Sequence, residues 1–298
     1  MERLKVWFAE TRPRFLTLTL VTSLVALGAL VADSVRVNWV DYAIALAGAL
    51  LAHVSVNVLN DYFDYVSGID LKTRRTPFSG GSGILPSGLL SPREVYYFGL
   101  ICLLADIPIA LYFFAKVGWG ILAIAAAGAF FIYAYTPLLT KGGLAEFSAG
   151  AGFALMELGF YYVQTGSLSS TALASAVLTG LVVANLLLLN EFPDVEADKE
   201  AGRRHIPALL GVERASKVFA LVYAAFYALA LFFTASGVLP PTSLLCLLTV
   251  PLCVATCAGA VKHCSDIQRL VPYMAKNIAL THLSLLSLAI GLALAPLL

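Results

Sequence analysis

Charge is what this chain has least of. Its 298 residues include 19 Lys and Arg and 18 Asp and Glu, 12% in all, against about 25% in an ordinary soluble domain. Hydrophobic residues make up 60%, where soluble domains hold about 45–50%. A soluble core is excluded by this balance, and an integral membrane protein is implied. The formal net charge is +1, and no Lys/Arg run interleaves with aromatics, which excludes nucleic acid as a partner. Cysteine is sparse too: five residues, at 102, 246, 253, 257 and 264. Cys253 and Cys257 share a helix face with no second pair opposite, so they read as packing rather than as a metal site or disulfide framework. The dyad alternation of a membrane β-barrel is missing, which leaves helices as the spanning element.

What the chain does have is long apolar runs. Taking about 17–25 residues per span, nine emerge, near 13–33, 40–60, 95–115, 118–136, 146–164, 171–192, 215–237, 240–260 and 277–297. The basic N-terminus before Phe15–Ala32 resembles a signal peptide only superficially. The run is too long for an h-region and lacks an A-x-A site, so it reads as the first span. With nine spans, every Lys and Arg except Arg36 and Lys116 falls on one side. The positive-inside rule then places the N-terminus in the cytoplasm and the C-terminus outside a cell membrane. The long polar connections, 61–94 and 193–214, are cytoplasmic in this reading.

Each of those connections begins with carboxylates. The first stretch runs Asn57-Val-Leu-Asn60-Asp61-Tyr-Phe-Asp64 to Asp70; the second runs Asn190 to Asp198. Asn60 and Asp64 recur as Asn190 and Asp194, both offset by 130 residues. One motif ends span two and the other span six. That offset predicts parallel repeats related about the membrane normal, approximately 13–136 and 146–260, with a ninth helix at 277–297. The expected fold is therefore an all-α bundle forming one domain over 1–298.

Helical phase places His53, Asn57, Asn60 or Asp61, and Asp64 on one face. In an apolar span such a stripe turns inward. Asp70 lies off that face, and Gly68 offers the bend that returns it. Asn190, Asp194 and Asp198 share a face by their spacing, with Pro193 expected to kink the helix. Two facing carboxylate clusters need cations between them, and an all-oxygen donor set suits Mg²⁺ completed by substrate phosphates. Arg74, Arg75, Lys141, Lys199, Arg203 and Arg204 stand ready to neutralise a diphosphate, and the loop Ser79–Gly83 offers backbone N–H groups to a phosphate or serves as a plain connector. A lipid diphosphate, a prenyl diphosphate foremost, fits a charged head on an apolar tail. Tyr133, Tyr135, Tyr161 and Tyr162 are candidates to face an allylic cation, or anchors at the interface. Glu157, mid-span, reads as a group that orients the acceptor or as a structural carboxyl. Asp106 reads as structural, and Arg12 and Arg14 as topology determinants.

The motifs Asn60-Asp61-x-x-Asp64-x5-Asp70 and Asn190-x3-Asp194-x3-Asp198 resemble the two Asp-rich motifs of the UbiA superfamily of intramembrane prenyltransferases. The resemblance implies a helical bundle around a central cavity open to lipid. It also implies Mg²⁺-dependent transfer of a prenyl group to an acceptor that is usually aromatic. By the same resemblance, Asn60, Asp64, Asp70, Asp194 and Asp198 would hold two Mg²⁺ ions bridged by the diphosphate, with Asp61 and Asn190 assisting. From the residues themselves, rather than from the resemblance, His53, Asn57, Tyr135, Glu157 and Tyr161 are the candidates to face the substrates. The Asp64-Tyr-x-x-Gly68-x-Asp70 form is similar to the menaquinone-type branch, whose acceptor is 1,4-dihydroxy-2-naphthoate. Transfer to geranylgeranylglyceryl phosphate is the alternative within the superfamily. A carboxylate-based cation or proton-coupled transporter is the alternative of another class.

Overall fold

A computed structural model describes residues 2–72 and 76–297, and within them every regular element is helical. The chain opens with a short amphipathic helix, α1 (Glu2–Glu10), whose Val6 and Trp7 pack on Val58, Ile84 and Leu85. Arg12 takes a left-handed conformation (φ 54°), and Pro13 then starts α2 (Pro13–Ala32) at the position where a missing N–H is harmless. Next comes α3 (Trp39–Ser67), capped by the Asn38 side chain. Its 29 residues reach about 44 Å at 1.5 Å per residue, beyond the ~30 Å hydrocarbon core. The helix is thus longer than a span requires, and Asn60, Asp61 and Asp64 lie in its last turns. Gly68 ends the helix with φ 80°, and α4 (Ile69–Lys72) folds back from it.

A capping box of Ser91 and Glu94 starts α5 (Pro92–Leu104). The span breaks at Ala105 and resumes as α6 (Asp106–Val117); Pro108 cannot donate to the Leu104 carbonyl, which explains the break. Then α7 (Gly120–Ala134) runs into a wide turn, Tyr135–Leu139, that contains Pro137. Antiparallel α8 (Ala145–Thr165) and α9 (Ser170–Asn190) approach closely where Gly150 faces the Gly180 carbonyl, as small residues allow in membrane bundles. A single tight turn, Phe192–Asp194, joins α9 to the short α10 (Val195–Glu200). The remainder is α11 (Ile206–Leu210), α12 (Val212–Ala235), a 3₁₀ stretch Pro241–Thr249, α13 (Val250–His263) and α14 (Ile267–Ala293).

Among the described residues, eight helical segments are long and apolar enough to cross a membrane, against the nine expected. The one that falls short is α8, because Glu146, Glu157 and Gln164 dilute its apolar content. The main apolar core lies where α2, α9, α12, α13 and α14 meet. On the other side of α2 and α9, a cavity of about 650 Å³ is walled by α2, α3, α6, α7, α8 and α9. The described residues of α12–α14 contribute nothing to that wall. The cavity thus draws its wall from residues 12–205 and lies apart from the core around α12–α14.

Candidate active site

One end of the cavity is polar, and the rest is apolar save for Asp106, whose carboxyl faces Gly48. Asn57, Asn60, Asp64 and Asp70 enter from one side; Asn190, Glu191, Asp194 and Asp198 enter from the other, with Arg203 and His205 behind them. The bend at Gly68 returns Asp70 to the wall, as its φ of 80° allows. There Asp70 meets the loop backbone: a Cβ on Gly81 would lie 3.0 Å from both of its carboxyl oxygens. Pro193 breaks the second helix rather than kinking it, yet Asn190, Asp194 and Asp198 still reach the same cavity.

Hydrogen bonds orient the set. Asn60 Nδ2 donates to Asp64 Oδ2 and to Thr136 Oγ1, each at 3.0 Å. Arg203 pairs with Asp64 Oδ1 and, at 3.1 Å, with Asp198 Oδ1. His205 Nδ1 accepts from the Ala208 N–H. The proton therefore sits on Nε2, which donates to Asp198 Oδ2 at 3.0 Å. Burial works to lower the Arg203 pKa, and the Asp64 and Asp198 carboxylates more than reverse it, so the guanidinium is held firmly charged. Glu146, Glu191 and His205 bring one ligand atom each within 4.8 Å of one another beside this network, an N/O set able to hold a cation.

The donors at the cavity mouth fit a hard divalent cation. Asn60, Asp64, Asp70, Asn190, Asp194 and Asp198 offer only oxygen, the preference of Mg²⁺. Asn190 Oδ1 and Asp194 Oδ1 are buried without a hydrogen-bond partner, a state that costs about 1–3 kcal/mol for each such group unless a cation or donor meets it.

Other expected residues are placed differently. Asp61 is buried but off the cavity wall; it takes Arg12 Nη1 at 3.4 Å and the Ser82 N–H at 2.9 Å. Glu157 also stands off the wall and accepts from Ser175 on α9. The Tyr161 hydroxyl donates to Asp33 at 2.7 Å, at the opposite end of α8 from Glu146. Lys141 and Arg204 are exposed and outside the lining. Arg74 and Arg75 lie outside the described residues. His53, bonded through Nδ1 to Thr19 at 2.7 Å, does line the cavity, as does Tyr135; Tyr133 instead pairs with Tyr96 at the surface. Ser79, Gly80 and Gly81 of the glycine-rich loop reach the wall, whereas the Ser82 N–H is already committed to Asp61.

Four titratable lining residues, Arg12, Asp106, Glu191 and His205, received no role in the site from the sequence. Glu191 sits beside Asn190, and its polarity in an apolar run was a usable signal. His205 is brought back by the turn at Gly202 (φ 79°), which spacing alone does not reveal. Arg12 read as a topology determinant; its left-handed backbone aims it at Asp61 and the cavity instead.

Residues 19–277 match the model of the UbiA prenyltransferase family. The chain is 29% identical to a 1,4-dihydroxy-2-naphthoate octaprenyltransferase of Haemophilus influenzae, over 76% of this chain and 78% of that one. It is 26% identical to the Bacillus subtilis protein of the same name, over 85% and 81%. Among solved structures, an Archaeoglobus fulgidus UbiA homologue bound to GPP and Mg²⁺ superposes with a TM-score of 0.62 at 14% identity. That match covers 95% of this chain and 99% of the other, and it shows a shared fold.

Proposed function

The chain belongs to the UbiA prenyltransferase family and is an enzyme of the prenyltransferase type, and from that premise we propose that it transfers a prenyl group from a polyprenyl diphosphate to an aromatic, naphthoate-type acceptor. The observation that carries this reading is the convergence of Asn60, Asp64 and Asp70 with Asn190, Asp194 and Asp198 at the polar end of one apolar cavity. The relatives named for 1,4-dihydroxy-2-naphthoate support the acceptor class. The homologue bound to GPP and Mg²⁺ supports the donor and the metal.

Asn60, Asp64, Asp70, Asp194 and Asp198 would hold Mg²⁺, with Asn190 beside them. Bound there, the metal supplies positive charge against the departing diphosphate. The chain's own groups do the rest. Arg203 lies within reach of the same oxygens and can take a phosphate in its planar fork. Asn60 fixes the Asp64 carboxylate through Oδ2, which leaves Oδ1 turned to the opposite motif. The prenyl tail lies along the apolar wall of α3, α6, α7 and α8. As the C–O bond to the diphosphate breaks, the bonding pair leaves with the oxygen and an allylic cation remains. Phe131, Phe153 and Tyr135 on the cavity wall present π faces to that cation, and the apolar lining keeps water from trapping it. The acceptor carbon then bonds to the prenyl carbon and loses its proton. His53 and Asn57, next along the polar stripe, are the groups that face the acceptor.

The protein is a multi-pass membrane protein in this reading, with the polar end of the cavity and the N-terminus cytoplasmic and the C-terminus outside. The deciding experiment is an acceptor panel. One labelled prenyl diphosphate is offered with dihydroxynaphthoate, 4-hydroxybenzoate and geranylgeranylglyceryl phosphate, with and without Mg²⁺. Transfer to dihydroxynaphthoate that needs Mg²⁺ is expected; exclusive transfer to the glycerol-phosphate lipid would overturn the acceptor.

A further inference from the structure

We propose that Arg203 is a positioning residue that makes divalent metal and diphosphate enter the site together rather than in separate steps. The inference rests on the metal–diphosphate reading of the site and adds the order in which the two components are admitted.

The argument is one of shared atoms. Asp64 and Asp198 lie 134 residues apart in the chain, one in each motif, and each keeps one carboxyl oxygen for a neutral partner. Asn60 holds Asp64 Oδ2 and His205 holds Asp198 Oδ2. The remaining oxygens, Asp64 Oδ1 and Asp198 Oδ1, both pair with the Arg203 guanidinium. A divalent cation ligated by the two motifs needs those same oxygens. Arg203 and the metal are therefore competitors for one position.

The backbone beneath Arg203 is pinned. Gly202 turns the chain with φ 79°, the Arg203 N–H donates to the Asp198 carbonyl at 2.9 Å, and the Arg204 N–H donates to the Thr140 carbonyl at 2.9 Å. Only the side chain is free to swing, and it is 13% exposed. Metal entering alone expels a buried guanidinium from two carboxylates with no anion to receive it, which is costly because a buried charge loses its partners. Metal entering with a diphosphate supplies that anion, and the fork moves from two carboxylates onto phosphate oxygens. Metal and diphosphate then raise one another's affinity by the same factor, as linkage requires.

Mn²⁺ is the probe. Retention of Mn²⁺ by full-length protein in detergent is measured by equilibrium dialysis, with and without inorganic pyrophosphate, for wild type, Arg203→Ala and Arg203→Lys. Folding is followed by thermal melting. Without pyrophosphate, Arg203→Ala is expected to bind Mn²⁺ about tenfold more tightly than wild type, the size of ordinary site-to-site coupling. Pyrophosphate is expected to strengthen Mn²⁺ binding by a larger factor in wild type than in the variant. Should Arg203→Ala not fold, Arg203→Lys reports the same direction, because one ammonium group cannot span both carboxylates in a fork. Equal Mn²⁺ affinity of wild type and variants without pyrophosphate overturns the proposal and leaves the metal site standing. No Mn²⁺ retention by any of the proteins, even with pyrophosphate, overturns the metal–diphosphate reading itself.

Discussion

The Asp61 carboxylate accepts a hydrogen bond from the backbone N–H of Ser82 at 2.9 Å. The bond ties the C-terminal end of α3 to the glycine-rich loop, and Arg12 Nη1 approaches the other oxygen at 3.4 Å. Asp61 is therefore a brace for the loop that carries Ser79, Gly80 and Gly81 to the cavity wall. Its neighbours Asn60 and Asp64 face the cavity itself.

A brace and a ligand fail differently. Asp61→Ala leaves the Ser82 N–H and the largely buried Arg12 without their partner, and a loss of about 3 kcal/mol is expected, as for a broken buried pair. Asp61→Asn keeps an acceptor for Ser82 and costs about 1 kcal/mol. Denaturation of the detergent-solubilised protein measures both. Full stability of Asp61→Ala with complete loss of transfer would move Asp61 into the chemistry.

Glu10 supplies a pH dependence. It is fully buried and accepts from the Ser82 hydroxyl at 2.9 Å. Burial, and then the nearby Asp61 carboxylate, push its pKa from 4.5 up to about 7. The folded state therefore holds the Glu10 proton more tightly than the unfolded chain does. The protonated form favours docking of α1, that advantage shrinks as pH rises from about 4.5 to about 7, and it is gone above. Hydrogen exchange in α1 should quicken over that window. In Glu10→Gln the window should flatten while exchange in α1 stays slow; an unchanged pH profile in that variant would sink the assignment.

Much of this site was legible as pattern. The 130-residue offset between Asn60/Asp64 and Asn190/Asp194 and the bend at Gly68 are properties of spacing and of a backbone only glycine adopts easily, and both can be read without coordinates. Helical phase left Asn60 and Asp61 both eligible for the inward stripe. The choice between them depends on the rotation of α3 against the glycine-rich loop, which is a tertiary matter. The same holds for Tyr161, drawn to Asp33 by a hydrogen bond between elements far apart in sequence, and for His205, delivered by a loop. The span count shows the opposite failing, since α8 runs from Ala145 to Thr165 as one long helix yet carries too many polar residues to count among the eight apolar segments. Those residues, Glu146 and Glu157, are buried against neighbours, and only the packing shows where their polarity is spent.

Glu157 is the sharpest case. It lies in mid-helix, faces Ser175 on α9 and does not line the cavity. Glu157→Gln keeps the volume and the hydrogen bond, so the rate of prenyl transfer is expected to stay within about threefold of wild type, a barrier change well under 1.4 kcal/mol. Glu157→Ala is expected to cost about 1–3 kcal/mol of stability by removing the buried bond from Ser175, which keeps only the Ala172 carbonyl, and by opening space. Steady-state transfer assays on the glutamine variant decide the matter, and a hundredfold drop in turnover with normal melting would return Glu157 to the acceptor site.

Asp64 and Asp194 test whether the two motifs act as one unit. Each contributes to the same cavity end, Asp64 from α3 and Asp194 from the turn after α9. Asp64→Ala and Asp194→Ala should each lower prenyl transfer by at least about 10²-fold, the scale of losing one aimed charge-stabilising group. If the motifs worked independently, the double variant would lose the product of the two factors. If both hold one metal–diphosphate unit, either deletion already dismantles it, and the double variant should be little worse than the poorer single one. The measurement is transfer and diphosphate release by the three variants under saturating Mg²⁺, with melting curves to confirm folding. Multiplicative losses would mean two separate sites, and full activity in both single variants would remove the acidic stretches from the reaction.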